Sequence, residues 1–393
     1  MTVLHRGTPP TPQAPSPDSS TNRPRVTELR LSAFGRHRAA TLPLGPFTVL
    51  TGPSGSGKSS ALRALGALAR LGGGACLADV FPEPRRYVPE RAKPDAQQRR
   101  GFRIGCTIDG PVGPVHLDLA VQAEPELRIV GERLTGPDVR YLETALRDPG
   151  RRDVQAAWHT AGSVPVTRGP LPDDFLGTAL LPLRVAGRTE GQRQVLAAAE
   201  QVVVGLRSVF PCDPVPARMR APARSRADRL LGGCDNLATV LRRTRTECAT
   251  RHSLLVATAR EGLAGPVADV LAEPTPGGAV RAVIDRGDGS LSPVERLGDG
   301  ELRYLALALV LLTGPRVLEV DTAAEVPEAY QSLTVLADNL DRALDPAQCA
   351  QLVALATRMC ARGHIRLVAA TGENSPAAQE ARGRGATVVD LKA

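Results

Sequence analysis

The stretch "GPSGSGKS", Gly52 to Ser59, constrains the fold more than any other part of the chain. It fits the pattern G-x-x-x-x-G-K-[ST]. It stands between an apolar run, "FTVLTG", and a segment with Leu62, Leu65 and Leu68 at helical spacing. A strand, a glycine-rich loop and a helix in that order form a phosphate cradle. The glycines let backbone N–H groups converge on anionic oxygens, and the helix contributes the positive end of its dipole. On this reading Gly52, Pro53, Ser54, Gly55, Ser56 and Gly57 form the loop, and Ser60 continues the first helical turn. Lys58 places a charge at the β- and γ-phosphates, and Ser59 offers a hydroxyl to Mg2+. The bland alternative is a Gly/Ser-rich turn with a chance lysine. Lysine occurs only at positions 58, 93 and 392, which argues against chance. ATP and Mg2+ are the expected cofactors.

Two further segments carry chemistry. In "LGDGELRYLALAL" a Gly-Asp-Gly turn opens an apolar helix, so backbone N–H groups at Gly298, Asp299 and Gly300 are expected at its N-terminus. An ordinary helix start after a loop is the plain alternative. In "LTVLADNLDRALDP" four apolar residues lead into Asp338, where a strand end can present a carboxylate to Mg2+. The next residue is Asn339, and an amide cannot take a proton from attacking water. Asp345 followed by Pro346 is a helix cap and first helical position. A competing strand, "RVLEVD", ends at Asp321; Asp338 is favoured as the metal ligand and Asp321 stays open.

The composition bounds the rest. The chain has 393 residues, 42% of them hydrophobic but only 3% aromatic, so its core rests on Leu, Val and Ala. The net charge is +8 and almost wholly arginine, which either reflects coding bias or serves acidic partners. Basic runs at 85–103, 218–229 and 242–251 are solvated faces unless the fold gathers them on one side for DNA. Seven scattered cysteines without a C-x-x-C pair suit reduced thiols and a cytoplasmic location. No apolar run is long enough to span a membrane.

Organisation follows from periodicity. Residues 1–25 are Pro/Ser/Thr-rich and expected to be disordered. "VTELRLSAF" and "ATLPLGPFTVLTG" read as strands, 81–103 as an exposed loop, and 102–131 as β-like alternation. The segment 135–188 reads as irregular. Helices are expected at about 189–207, 235–245, 252–262, 301–312 and 346–361. "AVRAVIDRGDGSLSPVERL" reads as a hairpin, and "RVLEV", "LTVLA", "HIRLVAA" and "ATVVDL" as strands.

The order of these parts resembles the ABC-type ATPase head of the RecF/SMC-like group, including RecF-like AAA-family ATP-binding proteins. The likeness rests on "VTELRLSAFG", "FTVLTGPSGSGKSSALRAL", "NLATVL", "LGDGELRYLALA", "VLADNLDRALDP" and "IRLVAATGE". It implies an α/β P-loop NTPase: two lobes around a mixed β-sheet with flanking helices, here without a coiled-coil arm. It also implies a division into 26–135 (first part of the head, with the Walker A loop), 136–230 (irregular or helical insertion) and 231–393 (second part, with signature and Walker B). Two copies would sandwich ATP, the signature of one facing the P-loop of the other. DNA or a protein partner would read the closed state.

The chain departs from that group at three positions. Gly298 stands for the signature serine, Asn339 for the catalytic glutamate and Gly372 for the switch histidine. Ground-state ligands remain while groups acting in the transition state are lost, so slow or absent hydrolysis is expected. If Asp321 is the ligand instead, Thr322 follows it, and Glu319 or Glu325 is the nearest carboxylate. The alternatives are a working ATPase of DNA repair, maintenance or phage defence, and, with little support, a small-molecule kinase.

Overall fold

The computed structural model describes residues 23–160, 165–224, 227–320, 326–327 and 330–392. The expected disordered tail therefore falls, up to residue 22, outside the described residues, as do Asp321, Thr322 and Glu325.

In chain order the fold opens with β1 (Arg25–Phe34), β2 (His37–Pro43), β3 (Phe47–Thr51), α1 (Lys58–Gly72) and the short α2 (Leu77–Val80). Six strands follow: β4 (Arg100–Asp109), β5 (Val115–Glu124), β6 (Arg128–Thr135), β7 (Arg140–Ala145), β8 (Asp153–His159) and β9 (Val166–Pro172). Next come α3 (Gly177–Arg184), α4 (Glu190–Arg207), β10 (Val209–Cys212), α5 (Pro216–Met219), α6 (Leu237–Glu247) and α7 (Ala249–Gly262). The hairpin region holds β11 (Asp269–Pro274), β12 (Val280–Asp285) and β13 (Leu291–Pro293). The chain then forms α8 (Asp299–Leu312), β14 (Leu333–Ala337), α9 (Pro346–Ala361), β15 (Ile365–Ala370), α10 (Pro376–Gly383) and β16 (Thr387–Asp390).

These elements make two main sheets. One is an eight-stranded sheet in the order β2-β1-β4-β5-β6-β7-β8-β9, with every neighbouring pair antiparallel. The other is a five-stranded parallel sheet in the order β10-β14-β15-β3-β16. The parallel strands β3, β14 and β15 are buried at every position, as expected where both faces are covered. Alternation along them separates two cores. Leu50, Leu336, Val368 and Ala370 pack with α1 and the eight-stranded sheet. Phe47, Val49, Val335, Leu367 and Ala369 pack with the layer that holds α8 and α9.

Helix α1 is wedged between the sheets. Its Leu62, Leu65, Leu68 and Leu71 are all buried, each worth about 1.5–3 kcal/mol of apolar transfer. Arg366 pins the lobes together. Its guanidinium, buried on β15, donates to the carbonyls of Leu44 at 2.7 Å and Val26 at 3.3 Å. Burial, aided by the charge of Arg25, pushes its pKa down to about 10.

Three sequence expectations need correction. The segment 135–188 is not irregular, because β7, β8 and β9 extend the antiparallel sheet and α3 follows them. Short strands with alternating burial, such as β8, are easily hidden by the Pro and Gly of the turns between them. "ATLPLGPFTVLTG" is two strands rather than one. Leu44-Gly45-Pro46 breaks it, and β2 and β3 join different sheets. "RVLEV" forms no strand. Val317, Leu318 and Val320 are buried, but Val317 N–H turns back to Gly314, and Leu318 makes only an isolated bridge to Leu230.

Candidate functional site

The Gly52–Gly57 loop leaves β3 at the C-terminal edge of the parallel sheet and enters α1. Its glycines are required by geometry. Gly57 is the N-cap of α1 in the left-handed region at φ 97°, and a Cβ there would lie 2.6 Å from His37 Nε2. Gly52, at φ 148°, has no room for a Cβ because the Leu391 carbonyl sits against it. The Lys58 ammonium donates to the carbonyls of Gly52 at 2.7 Å and Pro53 at 2.9 Å, so it lies folded across the mouth of the loop. The first-turn N–H groups of α1 have no intrahelical acceptor and suit an anion. Together these features fit a triphosphate.

Ser59 and Asp338 meet across the sheet. Ser59 Oγ donates to Asp338 Oδ1 at 3.1 Å, and Asp338 stands one residue past the end of β14. A hydroxyl and a carboxylate converging in this way supply the hard oxygen donors that Mg2+ prefers, so the pair fits that ion. Asn339, the next residue, is exposed and left-handed at φ 52°. Asn tolerates that conformation better than most L-residues, which is a local reason for its presence. Its N–H donates to Asp338 Oδ1 at 3.0 Å, steadying the carboxylate.

The Gly298–Gly300 turn lies at the N-terminus of α8. Its N–H groups are not all available. Gly298 N–H donates to Glu301 Oε2 at 2.9 Å, and Arg220 pairs with Asp299 at 2.6 Å. Gly300 lies against the Ala343 carbonyl in the loop after β14, too close for a side chain. The turn is thus seated on the segment that follows β14. Gly372 joins the same edge: its N–H reaches Asp341 Oδ2 at 3.2 Å, and its carbonyl accepts from Thr51 Oγ1 at 3.0 Å.

Three residues at this site escaped the sequence reading. His37 Nε2 donates to the Gly57 carbonyl at 3.0 Å and braces the loop from the start of β2. The Arg36 guanidinium lies 3.7 Å from where a Cβ on Gly55 would stand. Asp213 follows β10, whose Cys212 is in register with Ala337 of β14, so Asp213 and Asp338 sit side by side at neighbouring strand ends. Both line, with Ser59, a cavity of about 530 Å3 that runs along α1 past Arg63 and Arg70. No local pattern marks Asp213, since β10 has only four residues.

No family model matches the chain, and no curated protein matches it. Among solved structures it is similar to an SMC head bound to the C-winged helix domain of ScpA, at 13% identity and a TM-score of 0.50, covering 93% of this chain and 94% of that one. An SMC head domain from Thermotoga maritima matches at 12% identity and a TM-score of 0.44, covering 91% and 92%. The Smc head domain with an extended coiled coil, bound to the C-terminal domain of ScpA and derived from Pyrococcus furiosus, matches at 11% identity and 0.46, covering 93% of each chain. The first of these likenesses establishes the architecture alone: the chain has the fold of an ABC-type ATPase head.

Proposed function

We propose that this chain is an ATP-binding protein of the RecF/SMC-like ABC type, an ATP-dependent dimerising switch with slow or no hydrolysis. The observation that carries the reading is the Ser59–Asp338 pair at 3.1 Å with an exposed Asn339 beside it. The loop amides from Gly52 to Ser60 and Lys58 would hold the phosphates, and Ser59 and Asp338 would hold Mg2+. When bound, the ion neutralises charge on the β- and γ-phosphates. Around it Lys58 gives up its loop carbonyls for phosphate oxygens, and His37 keeps Gly57 in place. Asn339 can orient a water molecule but cannot accept its proton, and loss of a general base typically costs about 10²–10⁴ in rate. Binding energy is then retained in a closed dimer, with Gly298–Gly300 of one copy facing the loop of the other, for a protein partner or DNA to read.

A second reading, a working ATPase acting on DNA, draws support from Asp213, a carboxylate lining the same cavity. ATP turnover of the wild type beside Asn339→Glu and Asn339→Asp separates the two. Aspartate is included because it tolerates the left-handed backbone, whereas glutamate there costs about 1–2 kcal/mol. A slow wild type and a large gain in either variant support the switch. Rapid wild-type phosphate release, abolished by Lys58→Ala, overturns it.

A further inference from the structure

Arg303 is the one charged residue in the middle of a helix that is otherwise apolar nearly all round. Its side chain is only 2% exposed. Burying a guanidinium costs several kcal/mol that its partners must offset, so those partners are informative; Nε has none among the described residues, and the pairing rests on Nη1 and Nη2. Nη1 donates to Asp213 Oδ1 at 3.0 Å and to the Pro214 carbonyl at 2.6 Å. Nη2 donates to the Asn339 carbonyl at 2.8 Å and to the Asp338 carbonyl at 3.3 Å.

These partners are not scattered through the core. They are the residues just past the ends of β10 and β14, the two neighbouring strands that present Asp213 and Asp338 to the cavity shared with Ser59. One helical turn before Arg303 lies Gly300, whose backbone rests on Ala343. A planar fork holding two strand ends at once is rigid, with the Arg303 side chain itself buried. A shift of the Asp338 backbone therefore either breaks this node or carries the first turn of α8 with it.

We propose that Arg303 is a positioning residue that couples the two strand ends to the orientation of the Gly298–Gly300 turn. Occupancy of Ser59 and Asp338 then sets how α8 presents that turn. The inference rests on the reading that these two residues hold a Mg-nucleotide, and it adds the element that transmits occupancy. A core arginine serving stability alone would not make the turn responsive to ligand, and that difference is measurable.

Hydrogen–deuterium exchange over residues 297–303 reads the response, with and without Mg2+ and the slowly hydrolysed analogue ATPγS, at a protein concentration low enough to keep the chain monomeric. Calorimetry gives the affinity in parallel. The wild type is expected to change its exchange rates over the turn at least threefold on binding. Arg303→Met is expected to bind within about threefold of wild type and to lose that change, while Arg303→Lys, which keeps the charge without the fork, restores part of it. Asp213→Ala removes the side-chain acceptor of one arm of the node without emptying the core, so it gives the same readout if Arg303→Met does not fold; a halved response is expected. Binding with an unchanged response in Arg303→Met, or in Asp213→Ala where that is the folded variant, overturns the proposal. Wild-type binding without any response overturns it too and leaves the site reading intact. Absence of wild-type binding overturns both.

Discussion

The hydroxyl of Ser59 donates to Oδ1 of Asp338 across 3.1 Å, although 279 residues separate the two in sequence. One side chain rides on the first turn of α1 and the other on the end of β14, so the contact exists only when the parallel sheet is correctly assembled. If this pair holds Mg2+, the ratio of ATP affinity in Mg2+ to that in EDTA depends on both residues. Ser59→Ala and Asp338→Asn are each expected to lower that ratio about tenfold, equivalent to roughly 1.4 kcal/mol. Isothermal titration in the two buffers checks it, and an unaltered ratio in both variants rules out the assignment.

Gly300→Ala is expected to destabilise the fold by about 1–3 kcal/mol, although alanine ordinarily stabilises a helix relative to glycine. The added methyl would strike the Ala343 carbonyl, which is backbone and cannot swing aside. Gly314, whose Cβ position faces open space, is the control. Denaturant midpoints should fall for Gly300→Ala and stay close to wild type for Gly314→Ala.

The helix after β14, α9, begins with a reciprocal cap. Asp345 accepts from Gln348 N–H at 2.8 Å, and Gln348 Oε1 accepts from Asp345 N–H at 3.1 Å. Asp345→Ala should cost about 0.5–2 kcal/mol, seen as a lower melting temperature. If Asp338 holds Mg2+, Mg-dependent nucleotide affinity should change far less than in Asp338→Asn, because the cap and Asp338 are separate carboxylates.

Acid sensitivity has an identifiable contributor in His364. Burial first, and the charges of Arg23 and Arg362 next, hold its pKa below the ordinary 6.5. The unfolded chain therefore takes up the proton before the folded one. The stability that His364 contributes is complete above about 6.5 and is lost as the pH falls through that value toward the folded pKa. Melting temperatures between about pH 7.5 and 5 should fall less steeply for His364→Gln than for wild type. Equal slopes would place the acid sensitivity elsewhere.

What the sequence disclosed follows the range of each signal. The placement of the Gly52–Ser59 loop between β3 and α1 was legible because a glycine-rich turn running into a helix is a local pattern. The helices α8 and α9 were legible from an apolar run and from Asp345-Pro346. The contributions of His37 and Asp213 were not: His37 sits in a local hairpin and reaches a carbonyl 20 residues further on, and Asp213 depends on pairing between β10 and β14, which are far apart in the chain. Arg303 was detectable in principle. A lone arginine amid "LRYLALALVLL" must either leave the core or be richly paired there, and that choice was the available clue.

The crowding of Gly52 by Leu391 also has a bearing on biosynthesis. The strand leading into the glycine-rich loop, β3, is flanked by β15 and β16, so its hydrogen-bonding neighbours on both sides come from much later in translation. A nascent chain that has already made its glycine-rich turn still has no finished floor beneath it until residues 365–391 leave the ribosome. The finished geometry of that turn is thereby postponed to the last stage of folding.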